Sequence, residues 1–246
     1  MKTLLIGKGY WGNIVKSKLE KLTELVHIAD SKSDIDYILN NNDINYVFIC
    51  SSTISHYDIV AKCIKNNKNI FCEKPFTGSL SKSIELYNMA DNNNVNIFVD
   101  NIFLYRNELN LLRNKSFEKI EFIWNKYDIK YNESLLDSLM YHDIYMLIEI
   151  TNNNWNVTYS NINNTTLEVV LSNDNMIAKF NYNRNFNGKE KKVIIDNDLI
   201  IDFSNPNNDP LTETIKKIKN KDIDYIYNRN ITIETLEIVE KIKNKK

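Results

Sequence analysis

Short apolar runs alternate with amphipathic stretches over roughly the first hundred residues of the chain. The apolar runs are too short for buried helices and predict strands at residues 3–6, 25–29, 46–50, 69–72 and 95–99. The stretches between them predict helices at 10–22, 34–41, 55–66 and 80–92, the last two capped by Ser55 and Ser81. Strands that alternate with helices connect through right-handed crossovers, so this region predicts an α/β fold with a doubly wound parallel sheet.

The hydrophobic pattern changes its period after about residue 102. Alternating apolar and polar positions predict longer strands at 118–124, 154–160, 165–172, 175–183, 191–196 and 198–203. Helical patterns occupy 134–151, 211–220 and 232–244. We therefore predict a Rossmann domain at residues 1–102 and an α+β domain with an open, mostly antiparallel sheet at 103–246. The uncovered face of such a sheet is expected to pack on another subunit, which predicts a homo-oligomer.

Composition and charge narrow the classes of partner. The chain has 31 basic and 32 acidic residues, so it lacks the excess positive charge that binding to nucleic acid or an anionic membrane requires. Its three cysteines lie in apolar segments without the spacing of a metal site or a disulfide framework, which indicates a reducing compartment. The first apolar run is shorter than the core of a signal peptide. We therefore expect a cytoplasmic protein whose partner is a small molecule.

A glycine motif follows the first predicted strand and opens the first predicted helix. Its sequence is Gly7-Lys8-Gly9-Tyr10-Trp11-Gly12, and it holds three of the five glycines in the chain. In a dinucleotide-binding turn Gly7 permits the tight bend, and Gly12 lets the helix pack closely on the strand. Gly9 lets the amides at the helix start, near Tyr10 and Trp11, approach a pyrophosphate. The alternative is a glycine-rich turn that binds no ligand.

An acidic residue follows the second predicted strand at the distance that dinucleotide sites use. Asp30 lies eighteen residues beyond Gly12, where a carboxylate can accept hydrogen bonds from the hydroxyls of the adenosine ribose. The same carboxylate repels a ribose phosphate, which favours NAD over NADP. Ser31 and Lys32 are near enough to soften that preference, and the alternative for Asp30 is a residue that only begins a turn.

Four segments give the chain a resemblance to a known family. They are Cys50-Ser51-Ser52-Thr53-Ile54-Ser55-His56, Phe71-Cys72-Glu73-Lys74-Pro75, Asn101 to Arg106, and Tyr141-His142-Asp143-Ile144. The first resembles the segment after the fourth strand, and the second resembles the Glu-Lys-Pro signature, of the glucose-fructose oxidoreductase/inositol dehydrogenase family. With Gly-Tyr-Trp-Gly in the turn, the chain looks most like members that oxidise or reduce nucleotide-linked sugars.

The resemblance implies a site for hydride transfer, which needs an acid/base group beside the reacting oxygen. It implies that Lys74 orients and polarises this oxygen and that His142 is the principal proton acceptor or donor. Lys74 lies at the carboxyl end of a parallel strand, where open sheets bind ligands, and an imidazole titrates near physiological pH. Each residue also has an ordinary structural alternative, an exposed turn for Lys74 and a hydrogen-bonded helix residue for His142.

The same resemblance places further residues beside the cofactor. Ser51, Ser52 and Thr53 belong to the loop expected under the nicotinamide, and Ser52 replaces a proline that the family often has there. Glu73 is expected to brace Lys74 or to approach the nicotinamide ribose. His56 is either a cofactor contact or a residue that caps or packs at the start of its helix.

Two departures from the family pattern stand out. The family usually has an aspartate four residues before the catalytic histidine, and here that position is Ser138. Asp137 is five residues away, about 140° around a regular helix, so it reaches His142 only if the helix is distorted. Otherwise a hydroxyl of Tyr141 or Tyr145 is the alternative partner. The second departure is the short connection between residues 30 and 43, which predicts the loss of an edge strand.

Three functional hypotheses remain open at this point. The first is an NAD-dependent enzyme that oxidises a ring hydroxyl, or reduces the ketone, of a sugar or nucleotide-linked sugar. The second is a cofactor-binding sensor or assembly protein that has lost catalysis, suggested by the missing aspartate. The third is a reductase of a substrate that is not a sugar, such as an imine or a conjugated double bond.

Overall fold

The computed structural model describes residues 1–41, 43–113, 115–127, 133–151 and 154–245. The chain forms two compact units, one of Met1–Ile102 with Pro210–Ile233 and the other of Phe103–Asp209 with Glu234–Lys246. Residues 210–233, which the sequence pattern assigned to the second domain, therefore belong to the first unit. The reason is packing, because the helix that begins this segment lies against the first helix of the chain.

The first unit is built on a five-stranded sheet in which every pair of neighbouring strands is parallel. The strands are β1 (Lys2–Ile6), β2 (Glu24–Ala29), β3 (Tyr46–Ile49), β4 (Asn69–Cys72) and β5 (Ile97–Val99). Their order is β2-β1-β3-β4-β5. This confirms the predicted doubly wound sheet. It also leaves β2 at an edge, as the short connection after residue 30 predicted.

Helices connect the strands of this sheet. They are α1 (Tyr10–Leu22), α2 (Ile35–Asn41), α3 (Thr53–Lys65) and α4 (Leu80–Asn92). The predicted caps Ser55 and Ser81 are wrong, since both lie inside the first turn of their helices. The cap positions are Ser52 for α3 and Ser79 for α4, and the Ser79 hydroxyl accepts a hydrogen bond from the backbone of Lys82.

The core of the first unit explains why its strands are continuous apolar runs. The strands β3, β4 and β5 are covered on both faces, so nearly all of their residues are buried whichever way they point. On one face the rings of Phe48, Phe71 and Phe98 stack across neighbouring strands at centroid distances of 4.9 and 5.7 Å. Cys63 and Cys72 are buried free thiols, as expected for cysteines in apolar segments.

The C-terminal part of the chain adds two helices, α6 (Pro210–Lys219) and α7 (Tyr225–Asn244). The start of α7 completes the edge strand β5. The side-chain amide of Asn228 accepts a hydrogen bond from Val99 N at 2.8 Å and donates one to Val99 O at 2.9 Å. Asn228 is buried, so one side chain gives both main-chain groups of an edge residue the partners that a further strand would provide.

The second unit is built on a six-stranded mixed sheet. Its strands are β6 (Lys119–Tyr127), β7 (Asn156–Ile162), β8 (Thr166–Ser172), β9 (Ile177–Asn183), β10 (Asn185–Ile195) and β11 (Leu199–Asp202). Their order is β11-β10-β6-β9-β8-β7, with β6 parallel to β9 and the other pairs antiparallel. This confirms a mostly antiparallel sheet.

The two faces of this sheet differ in character. One face is apolar and includes the rings of Phe122 and Phe180, stacked at 5.0 Å. The other carries polar side chains that bond to each other across strands, such as Asn125 Nδ2 donating to Glu190 Oε2 at 3.0 Å. Helix α5 (Tyr141–Thr151) is tied to the sheet through Asp143, whose Oδ2 accepts from the Tyr182 hydroxyl at 2.7 Å.

The helix predicted at 134–151 is not regular. A π-helical turn at Leu136–Met140 precedes α5, so the helix distortion that would be needed to move Asp137 is present. In the described part of the chain, no helix combines the length and apolar character that crossing a bilayer requires.

The Asn228 contact yields a stability prediction. Asn228→Ala should lower the free energy of unfolding by about 2 kcal/mol, because it leaves the buried Val99 N–H without a partner, while Val99 O keeps its bond from Asn101 N. Urea denaturation monitored by circular dichroism measures the change. Asn220→Ala, at an exposed position of the same unit, should be nearly neutral. Equal stabilities for the two variants would contradict the contact.

Candidate active site

The turn between β1 and α1 is fixed by contacts between backbone atoms. Gly7 has φ +111°, and a Cβ there would lie 2.5 Å from the carbonyl oxygen of Cys50. A Cβ on Gly12 would overlap the carbonyl oxygen of Gly7. Both glycines are therefore required by the fold itself, because a side chain at either position would push the turn away from β3.

Gly9 is different, because the fold does not need it. No heavy atom of the described residues lies within 4 Å of the position where its Cβ would stand. Gly9 is the cap residue of α1, no described side chain caps the helix, and its first turn carries no acidic residue. The space above Gly9 and the amides at the helix start thus form a cradle suited to an anion.

The two residues after Gly9 contribute differently to this cradle. The side chain of Tyr10 is 79% exposed, so it is available to a ligand but takes no part in the core. Trp11 is partly buried, and its indole N–H is buried without a hydrogen-bond partner among the described residues. A buried donor of this kind is costly unless a ligand or water accepts from it.

Asp30 follows β2, and both of its carboxylate oxygens are bonded to neighbouring residues. Its Oδ2 lies 2.9 Å from Lys8 Nζ, while its Oδ1 accepts from the backbone of Lys32 and from the Ser33 hydroxyl. The hydrogen bond from Lys8 and that from the Lys32 amide lower the pKa of Asp30 to about 2, so the carboxylate is charged at any physiological pH. The contact with Lys8 was not predicted from the sequence, although that residue lies within the glycine motif.

The loop after β3 is organised by hydroxyls and by one buried imidazole. The Ser55 hydroxyl donates to Ser51 Oγ at 2.8 Å, Ser52 caps α3, and Thr53 begins that helix. The ring of His56 is 1% exposed, with Nε2 3.0 Å from the Ser51 carbonyl and Nδ1 3.1 Å from the Pro75 carbonyl. His56 therefore joins the loops after β3 and β4, which supports the packing alternative.

The loop after β4 carries Glu73 and Lys74, and Asp100 follows the neighbouring strand β5. The carboxyl groups of Glu73 and Asp100 lie within hydrogen-bonding reach of each other. Burial raises the pKa of both, well above its usual range for Glu73 and to about 6 for Asp100. The positive charge of the Lys74 ammonium lowers the pKa of both groups. Asp100 was not among the predicted site residues.

In the second unit His142 lies near the start of α5 within a group of aromatic rings. Its Nδ1 is 2.8 Å from the Tyr145 hydroxyl, which also accepts from the backbone N–H of Phe103 at 3.2 Å. The Phe103 ring stacks on the imidazole at 4.3 Å, and Trp124 lies at 5.8 Å. Two tyrosines were predicted as alternative partners of His142, and the hydroxyl of Tyr145 is the one that bonds to Nδ1.

Asp137 contacts a serine hydroxyl and a lysine ammonium. Its Oδ2 accepts from the Ser134 hydroxyl at 2.8 Å, and its Oδ1 pairs with Lys243 Nζ at 2.9 Å. Ser138 donates to the Ser134 carbonyl and accepts from Arg184. The π-helical turn therefore brings the Asp137 carboxylate to Ser134 and Lys243, while Nδ1 of His142 is bonded to Tyr145.

A buried cation beside His142 was also not predicted from the sequence. Lys191 Nζ is 2.7 Å from Asp143 Oδ1, and both side chains are at most 3% exposed. The same ammonium lies 3.4 Å from the centre of a Trp124 ring and 4.6 Å from that of Phe103. No sequence signal marked Lys191, because it lies in a run of charged residues that is typical of a solvent-facing strand. Among the described residues, no group of three metal-ligating side chains converges on one point.

Comparison with known proteins identifies the first unit. Residues 12–101 match the model of an oxidoreductase family described by its NAD-binding Rossmann fold. An uncharacterised oxidoreductase of Escherichia coli is 36% identical over 58 residues, which are 24% of this chain and 17% of that protein. The matched segment thus spans about a sixth of this curated relative.

Solved structures extend the likeness to the whole chain. A putative myo-inositol dehydrogenase from Sinorhizobium meliloti superposes with a TM-score of 0.81 at 15% identity, covering 100% of this chain and 98% of that one. A dehydrogenase from Thermus thermophilus in complex with NAD and UDP-GlcNAcA superposes with a TM-score of 0.79 at 12% identity, covering 97% and 94%. At these identities the likeness establishes the two-unit fold.

The glycine geometry predicts different losses of stability for two glycine-to-alanine substitutions. Gly12→Ala should lower the free energy of unfolding by about 2 kcal/mol, because the added methyl meets the Gly7 carbonyl. Gly9→Ala should cost less than about 1 kcal/mol, the difference between these residues at a helix cap. Thermal and urea unfolding of the two purified variants test the difference. The reverse order of stability would refute the assigned geometry.

Proposed function

We propose that the chain is an NAD-dependent oxidoreductase of the glucose-fructose oxidoreductase/inositol dehydrogenase family, whose NAD-binding model residues 12–101 match. It transfers a hydride between nicotinamide and a ring hydroxyl or ketone of a sugar, in particular a nucleotide-linked sugar. The observation that carries this proposal is the cradle at the start of α1. There the fold leaves space above Gly9 that a pyrophosphate would fill.

The residues of the first unit fit NAD. The amides after Gly9 would bind the pyrophosphate, and Asp30 would accept hydrogen bonds from the adenosine ribose once Lys8 moves aside. The charged Asp30 carboxylate disfavours the phosphate of NADP, so NADP is the weaker cofactor. Ser51, Ser52, Thr53 and Glu73 border the carboxyl edge of the sheet, on the side where the nicotinamide half is expected. NAD supplies the acceptor or donor of the hydride.

The acid/base work falls to Lys74 and His142. The Lys74 ammonium donates a hydrogen bond to the substrate oxygen and stabilises negative charge that develops there. His142 takes the hydroxyl proton at Nε2, since Nδ1 is bonded to Tyr145. The stacked Phe103 ring and the Tyr145 hydroxyl hold the imidazole plane in place. Tyr145 thereby orients the imidazole of His142, as a carboxylate does in related sites, without adding a negative charge.

The substrate class rests on the likeness to solved structures. The Thermus thermophilus dehydrogenase was crystallised with NAD and a nucleotide-linked sugar, and its fold covers nearly all of this chain. A homo-oligomer that packs the open sheet of the second unit against another copy remains part of the proposal. The polar side chains on that face, such as Asn125 and Glu190, would then bond across the interface.

A second candidate is a cofactor-binding sensor or assembly protein without turnover. It is favoured by one observation: Nδ1 of His142 bonds to the Tyr145 hydroxyl, where the family usually provides an aspartate. This candidate binds NAD through the same cradle but converts no sugar.

Cofactor binding gives the sharpest test of the cradle. Gly9→Ala should fold normally but weaken NAD binding at least about tenfold, because its methyl group occupies the space for the pyrophosphate. Titration calorimetry with NAD and NADH measures the affinity. Gly78→Ala is the matched control, since it also places a methyl group where no described atom lies within 4 Å. Undiminished affinity in Gly9→Ala would exclude this binding mode.

Turnover tests the two acid/base residues. Lys74→Ala and His142→Ala should each lower kcat by about 100-fold or more while NAD binding is retained, because proton transfer in the transition state is lost. The assay follows the absorbance of reduced nicotinamide over a panel of sugars and nucleotide sugars. Lys65→Ala and His27→Ala, at exposed positions, serve as matched controls.

Three other outcomes would change the conclusion. Unchanged turnover in both variants would remove their assigned roles. Tight NAD binding without turnover of any sugar in the panel would favour the sensor. Turnover of an imine or a conjugated double bond, with no sugar converted, would change the substrate class.

A further inference from the structure

The carboxyl groups of Glu73 and Asp100 form a pair that the reaction described above does not use. Cys72 and Val99 are register partners in the parallel strands β4 and β5, so the residues after them stand side by side at the carboxyl edge of the sheet. Asp100 is 2% exposed. Backbone bonds fix both residues, from Glu73 N to Ile49 O and from Asp100 N to Cys72 O, at 2.9 and 2.8 Å.

The contacts of the two carboxyl groups indicate how many protons the pair carries. The two carboxyl groups lie within hydrogen-bonding reach of each other, yet Glu73 Oε1 and Asp100 Oδ1 are buried without a hydrogen-bond partner among the described residues. A carboxylate has only acceptor atoms, so two charged carboxylates cannot bond to each other. The contact therefore requires one proton on the pair.

The groups that act on the pair are two thiols and one cation. Burial, and after it the neighbouring carboxyls, raises the pKa of the Cys50 and Cys72 thiols well above its usual range, so both thiols remain uncharged. Lys74 lowers the pKa of both carboxyls, so its ammonium is within electrostatic reach of each. A pair with one proton carries one negative charge, which balances the one positive charge of Lys74.

We propose that Glu73 and Asp100 share one proton and act as a positioning pair that keeps Lys74 protonated and directed at the substrate. The proposal rests on the proposed function, in which Lys74 polarises the substrate oxygen. A single shared negative charge stabilises the ammonium form of Lys74 against loss of its proton in a partly buried site. The amine therefore serves as a hydrogen-bond donor and not as a base, which leaves proton acceptance to His142.

The pair also predicts a pH dependence. Burial raises the pKa of Asp100 to about 6, and a second protonation below that pH would leave the pair neutral. Lys74 would then lose its counterion while staying charged, and its orientation would be lost. Turnover should therefore fall as the pH drops below about 6, and Asp100→Asn should change this profile, because it removes the carboxyl that titrates there.

Infrared spectroscopy tests the shared proton without cofactor or substrate. At neutral pH the wild-type protein should show the carbonyl stretch of a protonated carboxylic acid, although free carboxylates are ionised there. The double variant Glu73→Gln/Asp100→Asn should abolish this band, because no carboxyl remains at the pair. Glu168→Gln and Asp58→Asn, at exposed positions, should leave it unchanged. Absence of the band from the wild-type spectrum would overturn the proposal.

Competitive labelling of lysines tests the link to Lys74. The double variant Glu73→Gln/Asp100→Asn carries no charge at the pair, so the amine of Lys74 should react several times faster at neutral pH. Asp100→Asn alone keeps one charge on Glu73 and should label at the wild-type rate, relative to Lys65 as an internal reference. Equal Lys74 labelling in the double variant and wild type would refute the positioning role.

These measurements separate the inference from the proposed function. A protein that shows the shared proton and the labelling change but converts no sugar would retain the pair and lose the proposed function. A protein that converts a sugar without the infrared band would retain the function and lose the pair.

Discussion

The contact of backbone against backbone between the turn after β1 and the end of β3 is the constraint on which the candidate site depends. Gly7 and Gly12 let α1 start directly over the carboxyl edge of the sheet, within contact distance of Cys50. That placement aims the helix amides at the space where the loops after β2, β3 and β4 end. Asp30, Ser51 and Glu73 come from three different loops, and the sheet brings them to one edge.

The two residues proposed for acid/base work have different surroundings. Lys74 follows a strand, and its ammonium acts electrostatically on the carboxyls of Glu73 and Asp100. His142 lies on a helix beside a sheet, and its surroundings are aromatic rings with a buried ion pair of Asp143 and Lys191. A cation that is neutralised by a buried carboxylate adds little net charge to the histidine, so the rings set its orientation and the Tyr145 hydroxyl sets its hydrogen bonding.

Periodicity and local motifs were sufficient to predict the first sheet and its opening turn. The five apolar runs became the parallel sheet, and the glycine motif occupies the turn after β1 as predicted. Contacts between distant segments were out of reach: Asn228 completing β5, Asp100 meeting Glu73, and Lys191 meeting Asp143. Each of these depends on the register of elements that lie far apart in the chain, and a polar residue in a polar stretch gives no sign that it will be buried.

The predicted helix caps were wrong for a related reason. Ser52 and Ser79 cap α3 and α4, but several serines occupy each of these turns, and composition does not tell which one adopts the extended backbone of a cap. The partner of His142 depended in turn on the π-helical turn before α5. Its extra residue rotates Asp137 relative to a regular helix, and no pattern in the sequence marks that rotation.

If Asp30 binds the ribose as proposed, the Lys8–Asp30 ion pair must first be broken. A ribose that takes up the carboxylate displaces an ammonium group, so the free energy gained there is the difference between two charge-assisted contacts. Such an exchange adds little to affinity but penalises any group that cannot replace the lost interaction. The released Lys8 ammonium would then be able to pair with the ligand's phosphates. The same side chain would thus neutralise Asp30 before binding and the ligand after binding.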